Sequence, residues 1–370
     1  MGPIIKFPTI SFHMHRIAES FFGGGIWLAL LTSVIPSAPY AATIAEVSSK
    51  LSTLTAQQRR DFLVKGAQAE HELMFYGTIL VDEFTSLGKV FNARYPFLSL
   101  KHYFGPRQEV LNRSLTEAKA GRHLADAIQV DSSYGYQYIQ DNLVQPYLIP
   151  GRERFFDGTY DPSGAWYSMY YLTTALIYNS NQLKAEQAPQ SYDDLLQPQW
   201  KGKLLFDPEA AYILAALEQA WGKQKAVDYL NKLTKQDLVF RRGGALTTQV
   251  VGTGEFPIGI AVNGETSSAI RDKGSPLGFK LLAPKIVKPE GFFLMRNSPH
   301  PHTAILFADW VLSEEAQTFL ATTLGKGTAM KGVKSKYQEF QVQPDYIVTP
   351  KLGPRLNDYL KEFRQIMGIQ

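Results

Sequence analysis

The sequence predicts an α/β protein in two halves, each a mixed, mostly parallel sheet covered by helices. Three observations carry this. Between Leu73 and Val130, short aromatic and β-branched runs alternate with helix-period runs in the order β-α-β-α-β. The same alternation resumes between Tyr212 and Lys273. Between the two stretches, residues 166–178 form a long aromatic and β-branched run without Gly or Pro, which reads as a strand joining the halves.

Residues 55–70 read as a helix with Thr55 as its N-cap and Phe62, Leu63 and Ala67 on one side. Residues 73–76 are the first strand, closed by Gly77. Leu80, Phe84, Leu87 and Phe91 then recur at helical spacing, so a helix follows Gly77-Thr78 and stops before Pro96. Residues 97–104 are the second strand and Gly105-Pro106 its turn. A helix over 107–120 ends at Gly121, and residues 125–130 deliver Asp131-Ser132-Ser133 to a loop. Right-handed crossovers make these strands parallel, and ligands sit beyond the carboxyl ends of such strands. The loops at Gly77-Thr78, Gly105-Pro106-Arg107 and Asp131-Ser132 should therefore converge.

In the middle, Asn179-Ser180-Asn181 breaks the joining strand. Ser191 and Asp194 suit the capping box of a short helix that Pro198 stops. Trp200 offers an apolar anchor, and Gly202 turns into a strand over 203–206. Helices at 212–220 and 223–233, a strand at 238–241, a helix over 245–252 opened by Gly243-Gly244, a strand at 258–262 and a helix from Asn263 to Lys273 follow. Residues 278–282 and 291–295 are expected to carry the chain back to the first half. Residues 300–312 are amphipathic, and Ser313 should cap the next helix with Glu314 and Glu315 in its first turn.

With 370 residues, 45% hydrophobic and 19% charged, the chain has room for two globular domains. The net charge is +4, with no basic run interleaved with aromatics, which argues against nucleic acid as a partner. Residues 1–42 read as a Sec-type signal peptide: Lys6, His13, His15 and Arg16, an apolar stretch over 26–35, then small residues over 37–42. The chain has no cysteine, hence no disulfide and no lipid-attachable Cys; a periplasmic protein that is not a lipoprotein is expected. There is no G-x-S-x-G, H-E-x-x-H, P-loop or nucleophilic Cys, so the chain is not read as an enzyme. An enzyme on a similar fold is the alternative of a different class. His300-Pro-His302 matches a metal pair by residue type only.

Several phrases carry a family resemblance. Tyr178-Asn179 is followed by the short helix, by P-x-W-K-G-K at 198–203, by the strand at 204–206 and by the loop at 207–212. S-P-H-P-H-T-A at 298–304, F-A-D-W-V-L-S-E-E-A-Q at 307–317 and K-G-V-K-S-K-Y at 331–337 come later. Together they resemble periplasmic solute-binding proteins of ABC importers, in the ferric-iron-binding branch, over about residues 60–340. The resemblance implies a two-lobed, type II periplasmic-binding-protein fold with a cleft between lobes. One lobe would hold 43–165 plus 288–320, the other 166–287 plus 321–370. It also implies a monomer that closes on its solute and delivers it to the permease subunits in the membrane. No resident cofactor is implied, since a bound metal ion would be cargo.

By position in that family the ligand candidates are Thr78, Arg107, Asp131 and Ser132 after the first three strands, and Tyr167, Tyr170 and Tyr171 on the joining strand. Asp207, Glu209 and Tyr212 follow W-K-G-K, and Arg242 to Thr247 with Asn263 and Glu265 complete the far wall. Thr78 and Ser132 also suit plain helix caps, Arg107 a surface ion pair, and Asp207 before Pro208 a turn. The iron-binding members place an adjacent tyrosine pair after the strand that here ends at Val262, where this chain has Asn263-Gly264-Glu265. Their histidine after the first strand is replaced by Thr78-Ile79. Asp131, Asp207, Glu209 and Glu265 would suit a hard cation such as ferric iron. Arg107, Arg242 and helix N-termini would suit an anionic or organic solute. The sequence leaves both open.

Overall fold

The computed structural model describes residues 42–369, so the leader expected over 1–42 lies outside them except for Ala42. Helices α1 (Ile44–Leu51) and α2 (Ala56–Glu70) each begin with a complete capping box, Thr43 with Glu46 and Thr55 with Gln58. There follow β1 (Glu72–Gly77), α3 (Val81–Arg94), β2 (Ser99–Phe104), α4 (Arg107–Lys119), β3 (Ala127–Asp131) and a short α5 (Gly135–Gln140). Strand β4 (Tyr167–Asn179) leads to β5 (Leu204–Phe206), α6 (Tyr212–Trp221), α7 (Lys223–Thr234) and β6 (Val239–Phe240). Then come α8 (Gly244–Thr253), β7 (Ile258–Asn263), α9 (Gly264–Arg271) and β8 (Leu277–Lys280). The chain closes with β9 (Ile286–Leu294), α10 (Pro301–Val311), α11 (Glu314–Thr322), β10 (Tyr346–Ile347) and α12 (Gly353–Met367).

β1 lies parallel between β2 and β3, so the loops after these strands leave one edge together. β9 then runs antiparallel beside β3 and sets Glu290 directly opposite Asp131. β4 is the seam of the molecule. Its first half, to Thr173, pairs with β9; its second half, from Thr174, pairs with β7 on one side and β8 on the other. β5 lies parallel to both β6 and β7 in the far sheet. The expected two mixed sheets are thus present, joined through one strand.

Each sheet has apolar cores of its own. Phe75, Phe91, Phe292 and Phe307 anchor one beside α2, α3 and α10, with aromatic ring centroids 5–7 Å apart. Phe206, Leu214, Leu230 and Phe363 anchor another beneath α6, α7 and α12. On the first lobe, His302 Nδ1 lies 2.6 Å from Glu70 and His300 Nδ1 2.9 Å from Asp126. The two rings therefore face separate carboxylates and make no metal pair.

Some sequence expectations need correction. The returns expected at 278–282 and 291–295 are different elements: β8 stays on the far sheet, and one continuous strand, β9, makes the return. Residues 321–333, placed by sequence in the second lobe, put Ala321, Ala329, Met330 and Val333 into the first lobe's core. The helix at Asp193–Leu196 is a 3-10 turn, although its Ser191–Asp194 capping box forms. Ser313 occupies an N-cap position without any side-chain cap bond. The sequence reading also left α1, α5 and α12 unassigned.

Helix α12 matters most of these. Tyr359, Phe363 and Met367 recur at four-residue spacing and are buried in the second lobe's core. Pro354 sits in the first turn, and Gly368 ends the helix at φ 66°, a left-handed cap that glycine adopts without strain. The segment leading to α12 touches the first lobe. The Ser132 hydroxyl donates to the Val348 carbonyl at 2.6 Å, and a Cβ on Gly353 would fall 2.1 Å from the Tyr136 Cβ. No helix among the described residues is long and apolar enough to cross a membrane.

Candidate functional site

The parallel strand ends of the first lobe, the β5 and β6 loops of the second, and α12 enclose a cleft of about 1220 Å³. Thr78, Arg107, Asp131, Glu209 and Arg242 line it, as do Glu290, Lys361 and Arg364.

On the first-lobe wall, a buried amide sets the geometry. Gln129 Oε1 accepts the Thr78 and Ile79 backbone N–H groups at 3.0 and 2.9 Å, fixing the loop after β1. Its Nε2 donates to Thr78 Oγ1 at 2.9 Å and to Glu290 Oε2 at 2.5 Å, while Thr78 Oγ1 donates to the same Glu290 oxygen at 3.2 Å. Asp131 Oδ1 accepts from Ser133, backbone and hydroxyl, at 3.0 and 2.6 Å. Its Oδ2 faces Arg107 Nη1 across 3.8 Å. Burial, and then the Asp131 carboxylate, raises the Glu290 pKa, against the pull of Arg107 and Lys288. Burial works against the Arg107 charge, but Asp131, Glu290, Tyr134 and Asp207 outweigh it.

The second-lobe wall is cationic. Glu209 Oε1 lies 3.3 Å from Arg242 and 3.4 Å from Arg364, so one carboxylate faces two guanidinium groups. Lys361, one turn before Arg364 on α12, adds an ammonium. Phe104, 44% exposed at the end of β2, presents an aromatic face to the cleft.

Seven of the expected site residues do not line this cleft. Ser132 is fully buried and bound to Val348. Tyr167 is buried, its hydroxyl donating to the Tyr147 carbonyl at 3.0 Å. Tyr170 is buried with the Lys326 ammonium 5.3 Å from its ring centroid, and burial with the Glu290 and Glu83 carboxylates drives its phenol pKa well up. Asp207 Oδ1 accepts the Glu209 N–H at 3.0 Å, the turn role its place before Pro208 suggests. Thr247 is buried where α8 crosses Gly259. Asn263 stands at the N-cap position of α9 without a side-chain cap bond. Glu265 is buried against β4, accepting the Thr173 N–H at 2.7 Å and hydroxyl at 2.8 Å; burial pushes its pKa up to about 7. Two further candidates, Tyr171 and Tyr212, are also absent from the lining; Tyr212 carries the Lys288 ammonium 4.7 Å from its ring centroid. Tyr167, Tyr170 and Tyr171 share one reason: every residue of β4 is buried, so its tyrosines serve as core.

The sequence reading missed Gln129, Glu290, Lys361 and Arg364. The polar Pro289-Glu290-Gly291 inside the apolar run of β9 was the one local signal for Glu290. Among the described residues, no group of three or more His, Cys, Asp or Glu side chains is arranged to hold a metal ion.

A family model for bacterial extracellular solute-binding proteins matches residues 99–346. A curated relative, the Fe(3+)-binding periplasmic protein of Serratia marcescens, is 28% identical over 178 residues, 44% of this chain and 51% of the relative. The chain spans roughly half the length of the curated relatives it matches. Among solved structures, iron-bound HitA from Pseudomonas aeruginosa aligns with a TM-score of 0.68 at 19% identity, covering 80% of this chain and 99% of that one. The periplasmic binding protein AfuA from Actinobacillus pleuropneumoniae, with fructose 6-phosphate bound, aligns at 0.67 and 17% over 81% and 99%. At these identities the structures establish the fold, which is the two-lobed type II periplasmic one.

Proposed function

We propose that this chain, which belongs to the bacterial extracellular solute-binding protein family, is the periplasmic binding component of an ABC importer and captures an anionic organic solute. The observation that carries the ligand class is the convergence of Arg107 from one lobe with Arg242, Lys361 and Arg364 from the other on one cleft. A phosphate or carboxylate contacting both walls gains charge-assisted hydrogen bonds only when the lobes close on it. Its differential affinity for the closed form then shifts the open–closed equilibrium, and the permease receives the closed form. The cleft exceeds what a bare ion needs, and the exposed Phe104 ring suits an organic body. Holding and releasing a solute requires no catalysis, and the protein acts as a monomer.

Ferric iron is the second reading, favoured by the neighbouring Asp131 and Glu290 carboxylates and by the Serratia relative. Oxygen donors suit a hard cation. The remaining ligands would come from a chelating anion, because no larger donor cluster forms among the described residues.

Thermal unfolding of ligand-stripped protein separates the readings. A solute at about 100 times its Kd adds about 2.7 kcal/mol, a rise of a few degrees for this size. Stabilisation by phosphorylated or carboxylated solutes without iron supports the anion reading. Stabilisation by ferric salts alone would replace it with the second.

A further inference from the structure

The two oxygens of Glu290 are in different situations. Oε2 is held by Gln129 Nε2 at 2.5 Å and Thr78 Oγ1 at 3.2 Å. Oε1 takes no hydrogen bond from any described residue, yet Glu290 lines the cleft. Gln129, which aims the carboxylate, is fully buried and uses its other end to fix the loop after β1. Asp131 stands directly opposite Glu290 across the β3–β9 pair, so both side chains rise from the same sheet face. Asp131 spends Oδ1 on Ser133 and faces Arg107 with Oδ2. Burying two carboxylates side by side is costly unless something approaches them with donors. Arg107 serves Asp131, at 3.8 Å. The open acceptor of Glu290 has no such partner within the chain, and the residue lines the cleft.

We propose that Glu290, positioned by Gln129 and Thr78 and backed by Asp131, reads hydrogen-bond donors on the bound solute. The solute is then an anion that also carries hydroxyl or ammonium groups, rather than a plain oxyanion or a deoxygenated acid. The proposal rests on the anionic reading of the cleft and adds to it. The cations of the second lobe hold the charged end, and Glu290 tests what lies beside it. An acceptor held in place rejects an analogue that lacks the donor, because the solute then covers the oxygen and leaves it unpaired. Burial and Asp131 on β3 raise the Glu290 pKa, whereas Arg107 on α4, Lys288 on β9 and the Thr78 hydroxyl after β1 pull it down, with the Tyr170 phenol of β4 also nearby. A donor on the solute would add to the second group and favour the charged, accepting form.

The test is calorimetric titration of the full-length, ligand-stripped protein with matched anion pairs that differ in a donor. The pairs are ethyl phosphate and 2-hydroxyethyl phosphate, ethylphosphonate and 2-aminoethylphosphonate, and tricarballylate and citrate. The expected result is that the donor-bearing member of at least one pair binds about ten-fold tighter or more. Glu290→Ala should abolish that preference, so that the donor-bearing and plain members of the pair bind alike. Glu290→Gln keeps shape and one acceptor, so it should cost a hydroxylated solute a few-fold and an ammonium-bearing one about ten-fold. Equal binding of both members of every pair would overturn the proposal while sparing the anion reading. So would an equal loss for both members in Glu290→Ala, which would mark a structural role. Binding of ferric nitrilotriacetate with none of the six anions would overturn both. The wild-type preference alone decides the matter if either variant fails to fold, and an unchanged melting temperature certifies the variants that do.

Discussion

Strand β4 and helix α12 make an instructive contrast. β4 carries four tyrosines in the conspicuous aromatic run at the centre of the sequence, and it contributes nothing to the cleft lining. α12 is a mostly polar terminal stretch that the sequence reading left unassigned, and it supplies two of the four cations in the cleft. Every residue of β4 is buried, because the strand joins two sheets and has neighbours on both faces. α12 has one side in the core, so its other side is free to face solvent and ligand. Residues able to bind a metal or an anion act only where the fold leaves them uncovered, so chemical type is a poor guide inside a doubly covered strand.

The largest expected effect lies on the buried side of α12. Phe363→Ala should cost about 3–5 kcal/mol, since Phe363 is fully buried against Phe206 at a ring-centroid separation of 5.9 Å. Denaturant unfolding measures it, and a cost under about 1 kcal/mol would mean that α12 is only loosely docked. On the other side of the same helix, Arg364→Ala and Lys361→Ala should each weaken binding of an anionic ligand about ten-fold, some 1.4 kcal/mol, and leave stability nearly unchanged. Unaltered affinity in both would remove α12 from the site and narrow the contrast with β4.

A pH effect comes next, at the crossing itself. Glu265 holds Thr173 at the switch from one sheet to the other, with a pKa raised from 4.5 to about 7 by burial. The folded state therefore binds this proton more tightly than the unfolded chain. Its stabilising contribution is complete below about pH 4.5 and is lost as pH rises to about 7. The melting temperature should fall by a few degrees between pH 5 and pH 8, and Glu265→Gln, which stays neutral, should flatten that fall. An identical slope in the variant would assign the effect to other groups, such as the half-buried Asp309, raised to about 6.

The smallest effect tests β4 directly. Tyr167→Phe removes two buried hydroxyl bonds, one given to the Tyr147 carbonyl and one accepted from the Ile149 N–H, and should cost about 1–2 kcal/mol with no change in ligand affinity. A loss of affinity would return the joining strand to the binding site.

The alternation of elements, most of their limits and the edge on which the first-lobe loops meet are legible in the sequence. Apolar spacing, caps and Gly or Pro breaks are local, and Thr55 with Gln58, or Ser191 with Asp194, states its role within four residues. Thr78, Arg107 and Asp131 were legible because parallel β-α-β topology sends such loops to one edge whatever their sequence. The rest depends on contacts between distant parts of the chain. Glu290 reaches the site because β9 returns antiparallel beside β3, a pairing between residues 159 positions apart that no local pattern encodes. Lys361 and Arg364 reach it because Tyr359, Phe363 and Met367 dock α12 on the second lobe's core. The tyrosines of β4 are withdrawn because two sheets bury the strand between them. Burial and long-range pairing are properties of the assembled chain, and here they separate the candidates that line the cleft from those that pack.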